Sequence, residues 1–194
     1  SFANCKNLTK FTVEGNFDIL NIEERAFYRC GNIFEFTIAG NVTTLDIREM
    51  AFLHSSLREL RIPESVKALS IEKNAFSLCS ELTKVDISAD VTTLNIGNQI
   101  FYICEKLEEF TITNKVEDLT IGPRAFGCCK KLVKFEIPES VKNLAIGVST
   151  FAQCESLEDF TIPGSVTSLN IDCTAFQECQ SLTKFTIPES VTTL

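Results

Sequence analysis

Nine cysteines and a single histidine, His54, bound the chemistry open to this 194-residue chain. Nucleophilic catalysis by Ser or Cys usually needs an imidazole oriented by a third group. One His and no Cys-x-x-Cys spacing supply neither a triad nor a zinc site of the usual kind. Seven of the cysteines follow a rule: Cys5, Cys30, Cys79, Cys104, Cys129, Cys154 and Cys179 each stand three residues after a Phe. Cys128 and Cys173 lie outside it and are the thiols expected to be exposed or reactive. Carboxylates cluster at Glu105, Glu108, Glu109 and at Glu155, Glu158, Asp159, without the Gly and Asp spacing of a calcium loop. Those clusters read as solvated faces. No cofactor site is expected, and an enzyme is the least favoured class.

The cysteine rule is one part of a longer repeat. Phe2, Phe27, Phe52, Phe76, Phe101, Phe126, Phe151 and Phe176 recur at intervals of 25 residues, with a single interval of 24 between Phe52 and Phe76. From each Phe the pattern runs Phe-x-x-Cys-x-x-Leu-x-x-Phe-x-Ile, often Pro, then Ser-Val-x-x-Leu-x-Ile-x-x-x-Ala. Phe-x-Ile and Leu-x-Ile each alternate apolar and outward positions, which reads as two short strands per unit. Pro63, Pro138, Pro163 and Pro188 close the first strand and turn the chain. The Ala-Phe-x-x-Cys stretch reads as a short turn or 3₁₀ segment.

One such unit cannot bury its apolar face alone, so the units must stack. The expected fold is a parallel β solenoid of about eight coils, mostly β, with coils about 4.8 Å apart. One phenylalanine column would hold the eight Phe above. A second would hold Phe11, Phe36, Phe110, Phe135, Phe160 and Phe185, with Leu60 and Val85 in its gaps. Stacked cysteines fall within the Cα reach of a disulfide, but identical stacked positions keep their Cβ vectors parallel where a bridge needs them to converge. Reduced, packed thiols are therefore the expected state, with disulfides or a metal as the lesser alternatives. Residues 1–194 form a single solenoid domain. Both ends fall inside a unit and lack polar caps, so a fragment of a longer array is expected.

The alternating elements Ala-Phe-x-x-Cys-x-x-Leu and Ile-Pro-x-Ser-Val-x-x-Leu resemble the BspA-like (Treponema pallidum-type) leucine-rich repeats. The resemblance covers essentially the whole chain. It implies a leucine-rich-repeat-like, right-handed parallel β solenoid, found in surface proteins of bacteria and some protists, with adhesion or protein binding as its role. The 25-residue unit is longer than is usual in that family, which implies a flatter binding face.

The residues flanking the first-strand Phe project outward on the face that such repeats present to ligands. Glu35, Glu59, Arg61, Lys84, Asp86, Glu109, Lys134, Glu136 and Asp159 are the candidate partner-binding residues. The competing reading is structural. Opposite charges on neighbouring strands contribute about 0.2–1 kcal/mol each, and the alternation of sign from Glu59 to Lys184 would set register. The shortened third unit, Phe52-Leu53-His54-Ser55-Ser56-Leu57, lacks its Cys and reads as a tolerated surface irregularity or as a kink with a role. Phe34, Val133 and Ile19 are off-pattern apolar residues, Phe34 being a possible anchor. Asn7-Leu8-Thr9 and Asn41-Val42-Thr43 match the glycosylation triplet.

A net charge of −8 excludes the basic footprint of a nucleic-acid binder. No apolar run reaches the ~18–20 residues of a membrane span. The expected function is a non-enzymatic binding or adhesion module, at the cell surface or secreted, that engages a protein or other macromolecule. The alternative is a scaffold, cytoplasmic or otherwise, that self-associates by stacking solenoid ends.

Overall fold

The computed structural model describes residues 1–193 of the chain. The chain winds through coils that each begin at a repeat Phe and carry two strands. Coil 1 holds β1 (Lys10–Val13) and β2 (Phe17–Ile22), and coil 2 holds β3 (Glu35–Ile38) and β4 (Val42–Ile47). Coil 3 holds β5 (Glu59–Ile62) and β6 (Ala68–Ile71), and coil 4 holds β7 (Lys84–Ile87) and β8 (Thr93–Ile96). Coil 5 holds β9 (Glu109–Ile112) and β10 (Asp118–Ile121), and coil 6 holds β11 (Lys134–Phe135) and β12 (Asn143–Ile146). Coil 7 holds β13 (Asp159–Thr161) and β14 (Ser168–Ile171). Among the described residues, an eighth coil contributes β15 (Lys184–Thr186) and an isolated bridge from Thr193 to Ser168. Seven coils are therefore complete, slightly fewer than the eight expected. All strand pairing is parallel and joins equivalent residues of successive coils, such as Phe110 with Phe135 and Leu119 with Leu144.

The columns form as the repeat requires. Rings of the first Phe column lie nearly parallel, with centroids from 4.8 Å (Phe27–Phe52) to 5.6 Å (Phe76–Phe101). The second column meets it edge to face, as at Phe110–Phe126, 4.9 Å and 76°. Each such contact adds about 0.5–1.5 kcal/mol beyond the area buried. Leu60 and Val85 are fully buried in the gaps of the second column. The exceptions lie at the ends, where Phe2 and Phe185 are exposed.

The segment that leads into and follows each Phe is a run of tight turns, not a 3₁₀ helix. Ala26 N–H reaches Glu23 O at 3.0 Å and Cys30 N–H reaches Phe27 O at 3.2 Å. The third residue of each turn is left-handed, Arg25 at φ 54° and Arg29 at φ 54°, and a residue there cannot continue a right-handed helix. The equivalent positions carry ordinary side chains along the rod, including β-branched Ile103 (φ 59°) and Thr174 (φ 58°). Inter-coil bonds hold this costly conformation in place. Ile103 N–H donates to Gly127 O at 2.9 Å, and Phe101 N–H donates to Ala125 O at 2.8 Å.

Proline weakens the first-strand sheet at the junctions where it follows the strand. The residue just past the first strand donates its N–H back to the preceding coil: Ala39 to Val13 O at 2.9 Å, Ser88 to Ile62 O at 2.9 Å, Thr113 to Ile87 O at 3.1 Å. Those three junctions each pair four residues. Pro has no N–H to donate. At Pro138 the ladder shrinks to two pairs, and at Pro188 to three. At Pro63 and Pro163 it is lost, so β3 does not pair β5 and β11 does not pair β13.

Coil 3 is the irregular one. Its missing residue lies between Ser55 and Leu57, where other coils close a further turn, as Leu107 N–H does on Cys104 O at 3.0 Å. Ser55 takes the cysteine's place, buried, 3.3 Å from Cys79 Sγ. The second-strand sheet breaks directly above this coil, between β6 and β8.

Candidate functional site

The outward face of the first-strand sheet is built from the residues on either side of each inward-pointing apolar residue. Alternation along the strand turns Phe110 into the core and leaves Glu109 and Thr111 partly open. Glu35, Glu59, Arg61, Lys84, Lys134, Glu136 and Asp159 are exposed, and Asp86 and Glu109 are half-buried. The structure therefore brings all nine candidate residues onto one face, spread over coils 2 to 7 and not gathered at a point.

Inter-strand charge pairs run along that face. Lys10 meets Glu35 at 2.7 Å, and Arg61 lies 3.8 Å from Asp86. Glu109 is held between Lys84 at 2.9 Å and Lys134 at 3.3 Å, and Lys134 also reaches Glu136 at 3.4 Å. The bonds from Lys84 and Lys134 hold the Glu109 carboxyl below the usual carboxylate range. Lys10, with Thr37, does the same for Glu35. Among the described residues, Glu59 and Asp159 have no ion-pair partner. Each belongs to a coil whose first strand has lost its ladder to the coil below.

Both interruptions of this sheet open into clefts. The first, about 1090 Å³, lies at β3 and β5 and is lined by Glu35, Thr37, Arg58, Glu59, Arg61 and Pro63 among others. The second, about 530 Å³, lies at β11 and β13 and includes Lys134, Glu136, Asp159 and Pro163. At the first, Glu35 and Glu59 occupy equivalent positions on facing strands, a like-charge pair that opposes pairing. Arg58 lies over the Phe34 ring at 4.7 Å, a cation–π contact beside the cleft. Neither cleft was read from the sequence. Pro63 and Pro163, together with the Glu35–Glu59 break in sign alternation, are the signals that mark them.

The thiol column is an interior feature. Cys104, Cys129 and Cys154 each donate through Sγ to the Phe carbonyl of the coil below, at 3.2 Å. Burial pushes all three thiols well above their ordinary range, so they stay protonated. Cys173 is exposed, and Cys128 is half-buried against Gln153 Oε1 at 3.0 Å. His54 is exposed at a turn. No group of three metal-ligating side chains occurs among the described residues, and no helix there is long and apolar enough to cross a membrane.

Comparisons place this architecture among known repeats. The model of the BspA type leucine rich repeat region matches six copies, over residues 1–119 and 69–194. The chain is similar to a leucine-rich repeat protein from Eubacterium ventriosum, with a TM-score of 0.73 and 27% identity, over 92% of this chain and 44% of that one. It also shares its fold with a leucine-rich repeat protein from Bacteroides ovatus, with a TM-score of 0.64 and 24% identity, over 93% of this chain and 49% of that one. The chain thus spans less than half the length of either. A search of curated proteins returned no match. With the family's repeat found from end to end and its stacked parallel strands in place, the chain belongs to the BspA-type leucine-rich repeat family.

Proposed function

We propose that this solenoid is a non-enzymatic binding module of a surface or secreted protein, and that it engages a protein or other macromolecule through the first-strand sheet. One observation carries the reading. The charged columns and the two clefts that interrupt the sheet occupy the same face, so relief and charge coincide there. The face is rigid within each block of paired coils, and affinity builds from small contacts summed over several of them. Family membership supports an interaction or adhesion role.

The test compares two faces. Lys84, Glu109 and Lys134 replaced together by Ala remove the first-sheet charge ladder. Thr93, Asp118 and Asn143 replaced by Ala alter the second sheet. A partner captured by the native chain should be lost from the first variant and kept by the second. The reverse pattern assigns binding to the other face.

A further inference from the structure

Every junction between complete coils keeps at least one strand ladder, but coil 3 is joined differently on its two sides. Below it, β6 pairs β4 while β5 has no partner. Above it, β5 pairs β7 while β6 has no partner. Among the described coils flanked on both sides by complete coils, coil 3 is alone in that no sheet passes through it. At the other interruption of the first sheet, β12 still pairs both β10 and β14, so that junction stays tied on its second side.

What does pass through coil 3 is the turn side. Phe52 stacks on Phe27 at 4.8 Å and on Phe76 at 5.1 Å. Phe27 N–H donates to Ala51 O at 2.7 Å, and Phe52 N–H donates to Ala75 O at 2.7 Å. The rod therefore consists of two laddered blocks joined through a coil that no strand ladder crosses, its continuous connections being the aromatic column and single backbone bonds such as Arg58 N–H to Phe34 O at 3.2 Å. A hinge is a short segment that absorbs a change of angle between rigid bodies, and this arrangement has that form.

We infer that coil 3 is a hinge. Coils 1–2 swing against coils 4–8 about the Phe27–Phe52–Phe76 stack, and the first-sheet cleft at β3 and β5 widens or closes as they do. Two features keep the ladder there from re-forming. Pro63 has no N–H to give, and Glu35 and Glu59 repel. The hinge is a property of the chain alone and holds whatever the first sheet binds.

The test measures distances across it. Nitroxides are attached through p-acetylphenylalanine, leaving the nine cysteines untouched. One pair stands at Thr9 and Glu108, the other at Thr83 and Thr183. Both pairs are four coils apart, roughly 19 Å along the rod. The first spans coil 3, and the second spans the Pro163 junction. Pulsed electron–electron resonance should give a distribution about twice as wide for the first pair. Equal widths overturn the hinge. A repaired chain, with Pro63→Ala and Glu59→Gln, should narrow the first distribution to match the second. If that chain folds and the width is unchanged, the hinge is overturned. If it does not fold, the two native widths decide the matter.

Discussion

Coils 3 and 5 bury the same side chains and hold their backbones differently. Phe52, Leu57 and Leu60 are as completely buried in coil 3 as Phe101, Leu107 and Phe110 are in coil 5. In coil 5 both strands pair upward and downward, β9 with β7 and β11, β10 with β8 and β12. In coil 3 each strand pairs on one side only. Side-chain stacking and backbone pairing are thus separable in this repeat. Stacking depends on where the Phe turn sits. Pairing is weakened where proline removes an N–H, and between β6 and β8 it is lost with no proline present.

The sharpest way to break this comparison is to empty the aromatic column in both coils. Phe52→Ala and Phe101→Ala should each cost about 3–5 kcal/mol in urea unfolding, because each leaves a buried cavity between two stacked rings. If Phe52→Ala costs less than half as much as Phe101→Ala, the column is not what carries coil 3.

A smaller effect separates the thiol-bearing coils from coil 3, where Ser55 replaces Cys. An unfolded cysteine ionises near pH 8.5, while burial raises the folded thiols of Cys104, Cys129 and Cys154 well above that. Stability is therefore full below about pH 8.5 and falls as pH rises, since only the unfolded chain releases these protons. Between pH 8 and 9.5 the loss should be roughly 1 kcal/mol per thiol under reducing conditions. Cys129→Val should flatten the dependence by one such step, and an unchanged slope would show that this thiol does not hold its proton in the folded chain.

Next comes the charge ladder of the regular region. Glu109→Gln releases two lysines and should cost about 0.2–1 kcal/mol, less at 1 M salt, because these partners are largely exposed. The smallest change is expected at the other interruption. Pro163→Ala supplies the missing N–H but frees the unfolded chain, so stability should move by less than about 0.5 kcal/mol. The new amide should nonetheless exchange slowly with solvent. Fast exchange would show that proline is not what interrupts that sheet.

Much of the fold was legible because the repeat imposes it. Phe at every twenty-fifth position, Leu and Ile alternating inward, and Cys three residues after Phe read directly as columns, and each column formed. The turn around Phe27 was less legible. Arg25 and Arg29 are poor signals for left-handed backbone, and only bonds to the next coil, such as Arg29 N–H to Leu53 O at 2.9 Å, hold them there. The nine candidate charges were correctly turned outward by alternation, but the clefts between them were not foreseen. Pro63 was read as closing a strand in its own coil, while its larger effect is on the coil below.

The amino-acid sequence by itself determined the period, the inward columns and the choice of parallel stacking, because a 25-residue unit with two short apolar strands buries its core only against copies of itself. Tertiary structure alone decided which coils are stitched together. A ladder bond joins residues about 25 positions apart, and its loss shows only when the residues of one coil are laid against their neighbours.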